Sequence, residues 1–236
     1  MRRGIRVYLF ASLLFAISVQ VFASLPSYTG TITLGNGLSG TGAWVDKLLL
    51  PEKDQADWVA PQLTWTVSQN ADLSWHYSYS LVVNKNAISH FIVEASSTFT
   101  ASNIWNASGP FSDTTIQTYS DQNGNPGMPG VIWGIKFNGP SGTSATYAFD
   151  SDRAPVWGDF YAKDGATAHV NNVLWNTGFS TATPHLDPNA PISDGSYQDH
   201  ILVPDTVTSI PEPASFVALA SGVLGLLGMM RRRNRK

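Results

Sequence analysis

The stretch Leu73-Ser74-Trp75-His76-Tyr77-Ser78-Tyr79-Ser80-Leu81 alternates large apolar side chains with polar ones at every step. Successive side chains of a strand point to opposite faces, so this pattern describes a strand with one buried and one wet face. Leu73, Trp75, Tyr77, Tyr79 and Leu81 are expected inward, and Ser74, His76, Ser78 and Ser80 outward. Just upstream, Leu63, Trp65 and Val67 alternate with Thr64 and Thr66 and predict a partner strand. Gln69-Asn70-Ala71-Asp72 between them supplies hairpin chemistry.

The same period recurs downstream. Val131, Trp133, Ile135 and Phe137 mark another strand, with Gly134 and Lys136 facing away. Ala145, Tyr147 and Phe149 mark the next, after the turn-like Asn138-Gly139-Pro140-Ser141-Gly142. Further strands are expected at 28–34, 88–96, 114–119, 156–162, 169–176 and 200–203, with Phe91, Val93 and Ala95 facing the core. No segment of the body sustains a helical period with caps; residues 52–59 suit one or two helical turns. Many short strands between Gly, Pro, Asn and Ser turns predict an all-β fold, an antiparallel β-sandwich or jelly roll over residues 24–203. Such a body buries about 70% of its unfolded surface without covalent staples. Pro184, Pro188, Pro191 and Gly195 mark a break near 184–199, and 204–210 reads as a short stalk.

Composition narrows the function classes. The chain has 236 residues and no cysteine, which excludes disulfides, thiolate metal sites and a cysteine nucleophile. Eight of its fourteen cations lie at the two ends. Between Ser24 and Ile210, six cations face sixteen acids, a net charge of −10. Nothing there can neutralise a run of phosphates, so nucleic acid is not an expected partner.

The ends read as addresses. Arg2, Arg3 and Arg6 precede an apolar run from Val7 to Ile17, and Val21-Phe22-Ala23 precedes Ser24. Residues 1–23 thus have the charged, apolar and cleavage regions of a secretory signal peptide. At the other end, residues 214–230 are apolar except for serines and glycines, long enough as a helix for roughly 25 Å of bilayer. Arg231, Arg232, Arg233, Arg235 and Lys236 follow directly in the 231–236 tail. Such a cluster stays cytoplasmic, which places the acidic body outside.

Residues 204–213 link body to span and contain Pro211-Glu212-Pro213. The order Pro-Glu-Pro, short apolar helix, basic tail resembles the PEP-CTERM sorting signal of Gram-negative bacteria. The resemblance covers about 27 residues. It implies an exosortase-type membrane peptidase as partner, tethering to the inner membrane before processing, and delivery to the cell surface or exopolysaccharide matrix. The two prolines suit a processing site, because they forbid regular hydrogen bonding and keep the backbone extended. The resemblance says nothing about the body.

Three constellations in the body have chemical content. Asp121, Asn123 and Asn125 place side-chain oxygens at alternate positions, as a calcium loop begins. The twelfth position of such a loop needs a carboxylate, and Ile132 stands there, so a solvated turn explains the segment as well. Asp150, Asp152, Asp159 and Asp164 flank one strand region, and paired carboxylates are what glycoside hydrolysis needs. Aspartate is equally a turn residue. Trp44, Trp58, Trp105 and Trp157 fit no clean alternation and are candidates to stack on sugar rings. No phosphate loop or nucleophile elbow is present. The expectation is a non-enzymatic surface or matrix protein needing no cofactor. The alternatives are a carbohydrate-binding module for exopolysaccharide, with or without calcium, and a glycoside hydrolase.

Overall fold

The computed structural model describes residues 24–139, 142–165, 171–179 and 192–204. The expected leader 1–23, the Pro-Glu-Pro motif, the apolar span 214–230 and the basic tail 231–236 lie outside them. Among the described residues no helix is long and apolar enough to cross a membrane.

Thirteen strands carry the described fold. They are β1 (Ser27–Leu34), β2 (Gly37–Thr41), β3 (Gln62–Gln69), β4 (Trp75–Val82), β5 (Ile88–Glu94), β6 (Ile104–Ser108) and β7 (Asp113–Tyr119), then β8 (Ile132–Asn138), β9 (Ser144–Ser151), β10 (Pro155–Gly158), β11 (Phe160–Asp164), β12 (Val173–Asn176) and β13 (Ile201–Pro204). One helical turn, α1 (Glu52–Gln55), falls inside the segment where one was expected.

Eleven strands join in one sheet, ordered β6-β9-β4-β3-β1-β2-β12-β11-β5-β8-β7, and β10 pairs with β13 apart from it. The body is therefore all-β, as expected, but the ladder is continuous rather than split into two sandwich sheets. Its continuity is narrow. β1 and β2 touch in parallel through only Thr33↔Gly37 and Leu34↔Leu38, whereas every other pairing in the sheet is antiparallel. Here the chain makes a corner at Leu34-Gly35-Asn36-Gly37. Both glycines take positive φ, and a Cβ on Gly37 would stand 2.6 Å from an Ile32 methyl. Only glycine combines that backbone with that approach. The corner divides the sheet into wing one (β6-β9-β4-β3-β1) and wing two (β2-β12-β11-β5-β8-β7).

The inner faces of the wings pack on each other through aromatic rings. Phe91 of β5 stacks on Tyr147 of β9 at 4.9 Å and lies 5.6 Å from Tyr79 of β4. Phe137 of β8 reaches Tyr147 at 5.4 Å and Phe149 at 5.8 Å. Ile201, Leu202 and Val203 of β13 join this core, and the buried Tyr79 hydroxyl donates to the Leu202 carbonyl at 2.8 Å. A buried tyrosine needs such an acceptor, and here it ties wing one to the separate pair.

Wing one follows the alternation read from the sequence. In β4, every second residue from Trp75 to Leu81 is buried and those between are half-exposed. Leu63, Trp65 and Val67 of β3 are fully buried. The exception is Leu73, which sits in the turn with φ +70° and is 62% exposed, because Asp72 caps the backbone N–H and hydroxyl of Ser74 and holds the turn one residue longer.

Wing two has both faces covered. Beneath lies the shared core. Above lies a second cluster of Ile92, Tyr119, Met128, Ile132, Tyr161, Val173 and Phe179. Met128 comes from the 120–131 loop, which is tied down by the Tyr161 hydroxyl donating to the Pro126 carbonyl. Val131 lies outside the strand and is exposed, and Trp133 is half-buried. The single strand expected at 156–162 is two strands, β10 and β11, which leave for different ladders on either side of Asp159. β2 and β6 gave no alternation to read: one is glycine-rich and the other an exposed edge.

Candidate functional site

The four tryptophans separate by location. Trp44 and Trp157 are buried in the main core, so neither has a ring face for a ligand, a correction to the stacking expectation. Trp44 lost its alternation signal because it lies in a 3-10 turn, with its indole N–H donating to the Lys85 carbonyl. Trp58 is half-buried and donates to the Ala43 carbonyl at 3.3 Å. Trp105, 36% exposed on the edge strand β6, keeps the most open ring of the four.

Asp121, Asn123 and Asn125 do come together in one loop, but their polar atoms serve the loop. Asp121 accepts from the Gly127 N–H at 2.6 Å. Asn123 accepts from the Ser120 N–H as half of a capping box with Ser120, and donates to the Thr118 carbonyl. Asn125 is fully buried and donates to the Ser120 carbonyl and to Asn123 Oδ1. Among the described residues no three His, Asp or Glu side chains cluster as metal ligands would.

The four aspartates each have their own partners. Asp150 sits on the outer face of wing one, accepting from His76 Nδ1 at 2.7 Å, Asn106 at 2.8 Å and Asn70 at 3.4 Å. Partial burial raises its pKa, but these hydrogen bonds outweigh that and hold it below the ordinary value. Asp152 accepts both amide contacts from Asn103. Asp164 is buried and accepts from Asn172 and Asn86.

Asp159 belongs to a network that the sequence did not suggest. It is 1% exposed, and its Oδ1 accepts from His200 Nδ1 at 2.9 Å and from Asn176 Nδ2 at 2.6 Å. Its backbone N–H donates to Glu94 Oε2 at 2.9 Å, while Asn176 Oδ1 accepts from the Phe160 N–H. Burial, and then the Asp159 charge, push the Glu94 carboxyl far above the carboxylate range. Glu94 is thus neutral where most glutamates are charged. The network pins the residue at which the chain changes ladders. It joins four segments separated by up to about a hundred residues, so no local spacing could announce it.

Among the concave features of the described surface is one of ≈ 580 Å³ along the 120–131 loop, and two others present side chains of chemical interest. The first of these two is a cleft of ≈ 440 Å³ at the mouth between the free edges β6 and β7, lined by Phe99, Ile104, Thr114, Ile116 and Trp133 among others. The Trp133 indole donates to the Phe99 carbonyl, so its ring is fixed in the cleft wall. The second, of ≈ 400 Å³, lies at one end of wing two and is lined by His90, Lys136, Asn86, Ser89 and Asn138 among others.

Residues 209–235 match the PEP-CTERM protein-sorting motif. The chain therefore carries the sorting signal that its Pro-Glu-Pro and basic tail resemble, and this motif implies exosortase-type processing, export and delivery to the cell surface. No curated protein and no solved structure matches the chain.

Proposed function

We propose that the β body is a non-enzymatic surface or extracellular-matrix protein. In this reading the leader 1–23 exports it and the 214–230 helix tethers it to the inner membrane. The 231–236 tail stays in the cytoplasm, and an exosortase-type peptidase releases the body near Pro211–Pro213. The observation that carries the reading is the match of residues 209–235 to the sorting motif. Support from the body is that its carboxylates are committed to folding: Asp150, Asp152, Asp159 and Asp164 each hold a different strand or turn in place.

The test is the intact mass of the native protein, recovered separately from membranes and from the extracellular matrix. A species beginning near Ser24 and ending near Pro211–Pro213 is the expected result. A matrix species still ending at Lys236 would overturn release and leave a membrane-anchored receptor-like domain.

The second reading is carbohydrate binding, favoured by the exposed Trp105 ring and by the cleft with Trp133 in its wall. Sugars stack on such faces. It predicts a glycan-dependent change in tryptophan fluorescence that Trp105→Ala reduces; a response unchanged in that variant removes Trp105 from the reading.

A further inference from the structure

We propose that the second cleft, at the end of wing two, binds the carboxylate of an acidic sugar, with Lys136 and Lys163 as its cationic flanks and His90 in its wall. The inference concerns a different face from Trp105 and rests on no sorting step, so it stands or falls apart from the intact-mass result.

The first observation is charge placement. The body between Ser24 and Ile210 has only six cations against sixteen acids. Two of the six flank a single strand: Lys163 of β11 is directly opposite His90 of β5, and Lys136 of β8 is opposite Ile92 of the same strand. Like charges set this close repel, and a protein normally places a carboxylate between them. Among the described residues no salt bridge reaches either lysine, although His76, Lys85, Arg153 and His200 all have acid partners. The nearby acids are engaged elsewhere: Asp113 accepts from Ser112 and Asn138, and Asp164 from Asn172 and Asn86. The Lys136 ammonium stands 5.8 Å from the centre of the Tyr119 ring, a weak partner.

The second observation is a poorly satisfied histidine. His90 is only 5% exposed, its Nε2 makes no well-formed hydrogen bond, and the side chain that interacts with the ring is the amide of the buried Asn125. A buried imidazole nitrogen so poorly paired costs free energy. Burial first, then the Lys136 and Lys163 charges, hold the ring neutral by pulling its pKa to about 3, against the opposing hydrogen-bond interaction with the Asn125 side chain. Burial and the Lys163 charge likewise lower the Lys136 pKa. Burial is the larger cause of both shifts; the lysine charges add to it with the same sign, and an anion placed between them would oppose that second part.

The third observation sets the ligand class. The cleft measures ≈ 400 Å³, the size that takes a small organic molecule rather than a bare ion. Besides His90 and Lys136, its walls include amides and a hydroxyl from Asn86, Asn138 and Ser89. Those groups suit a hydroxyl-rich ligand, whereas the lysines suit its carboxylate. The site would let a domain of net charge −10 hold an acidic glycan that otherwise repels it.

The test uses the full-length chain in neutral detergent at low ionic strength, titrated calorimetrically with glucuronate, glucose, acetate and inorganic phosphate. Expected is saturable glucuronate binding near ~1 mM, a shift of the His90 imidazole resonances on binding, and no response to glucose. The double substitution Lys136→Gln/Lys163→Gln should weaken glucuronate at least about tenfold. Lys47→Gln/Lys53→Gln, which removes the same charge from an exposed segment, should leave it unchanged. If the first double variant melts early, Lys163→Gln alone is used with a folded-state check by thermal unfolding. Equal binding of acetate, phosphate and glucuronate would keep the anion site and overturn the sugar. Binding that is absent, or equal in the two double variants, would overturn the site.

Discussion

The two wings are made of the same residue types and the same antiparallel ladders, yet they solve different burial problems. Wing one has a wet outer face. Thr64, Ser78 and Ser80 lie there half-exposed, and the carboxylate Asp150 is ionised and held by amides and an imidazole. Wing two is covered on both sides, so its outward residues became a second interior. There Glu94, His90, Asp159 and Asp164 are all under 6% exposed. The same chemistry in the two settings has opposite consequences: Asp150 on the outer face is stabilised as the anion, the buried Glu94 as the acid. Covering the outer face also turns strand alternation into near-continuous burial, as β5 shows from His90 to Glu94.

The largest effect should come from breaking what the wings share. Phe91 touches rings from β4, β8, β9 and β11. Phe91→Ala is expected to cost ~3–5 kcal/mol, seen as a lower urea midpoint. Ser78→Ala, on the wet face of wing one, should change stability by no more than about 0.5 kcal/mol. Equal losses would show that the seam is not the core.

The next effect separates the wings by pH. The Glu94 pKa rises from 4.5 to about 8 on folding, so its contribution is fully present below the unfolded value and is lost as pH climbs towards 8. The loss should be a few kcal/mol, at ~1.4 kcal/mol for each tenfold change in proton affinity. Glu94→Gln should flatten that decline while leaving the acid limb intact, as read from urea midpoints across pH.

Removing the cover of wing two is a smaller perturbation. Met128 is 4% exposed in the outer cluster but is carried by a loop that can settle inward. Met128→Ala should cost about 2 kcal/mol, at the low end for such truncations. It should also speed hydrogen exchange at Ile92 and Tyr161 more than at Tyr77 or Tyr79. Uniform acceleration would mean that the loop is part of the global fold rather than a lid on one wing.

Asp150 gives the smallest effect and the opposite sign. Its folded pKa lies below the ordinary aspartate value, so its stabilisation exists above that value and disappears as pH falls through the lowered one. His76 is 41% exposed, and solvent screening limits the pair to about 1 kcal/mol or less. Asp150→Asn should trim the acid limb and leave the neutral range unchanged. A slope of the same sign in both the Glu94 and Asp150 variants would refute the contrast between the wings.

Legibility followed exposure. The β3–β4 hairpin was readable because each strand had water on one side and core on the other, which writes period 2 into the chain. The 156–162 segment read as one strand because both halves are apolar; the change of ladders at Asp159 is enforced by Glu94, Asn176 and His200, all distant in sequence. Trp44 looked like a free ring because a 3-10 turn removes periodicity without removing burial, and Trp157 because β10 is only four residues long and three of them are buried. His90 and Glu94 share one face of their strand and read as a partly buried polar pair; that both are almost fully buried was decided by cover from other parts of the chain.

By itself the sequence determined the all-β class, the best strands, the acidity of the body and the sorting motif at 209–235. These depend on local order: alternation, charge counts and a linear signal read by another protein. Only the tertiary structure decided that the ladder runs on through the Gly35–Gly37 corner, that wing two is buried twice, and that Lys136 and His90 line one cleft with Lys163 on the strand beside it. Those facts depend on which distant segments lie side by side, and burial, which keeps Glu94 and His90 neutral, exists only once they do.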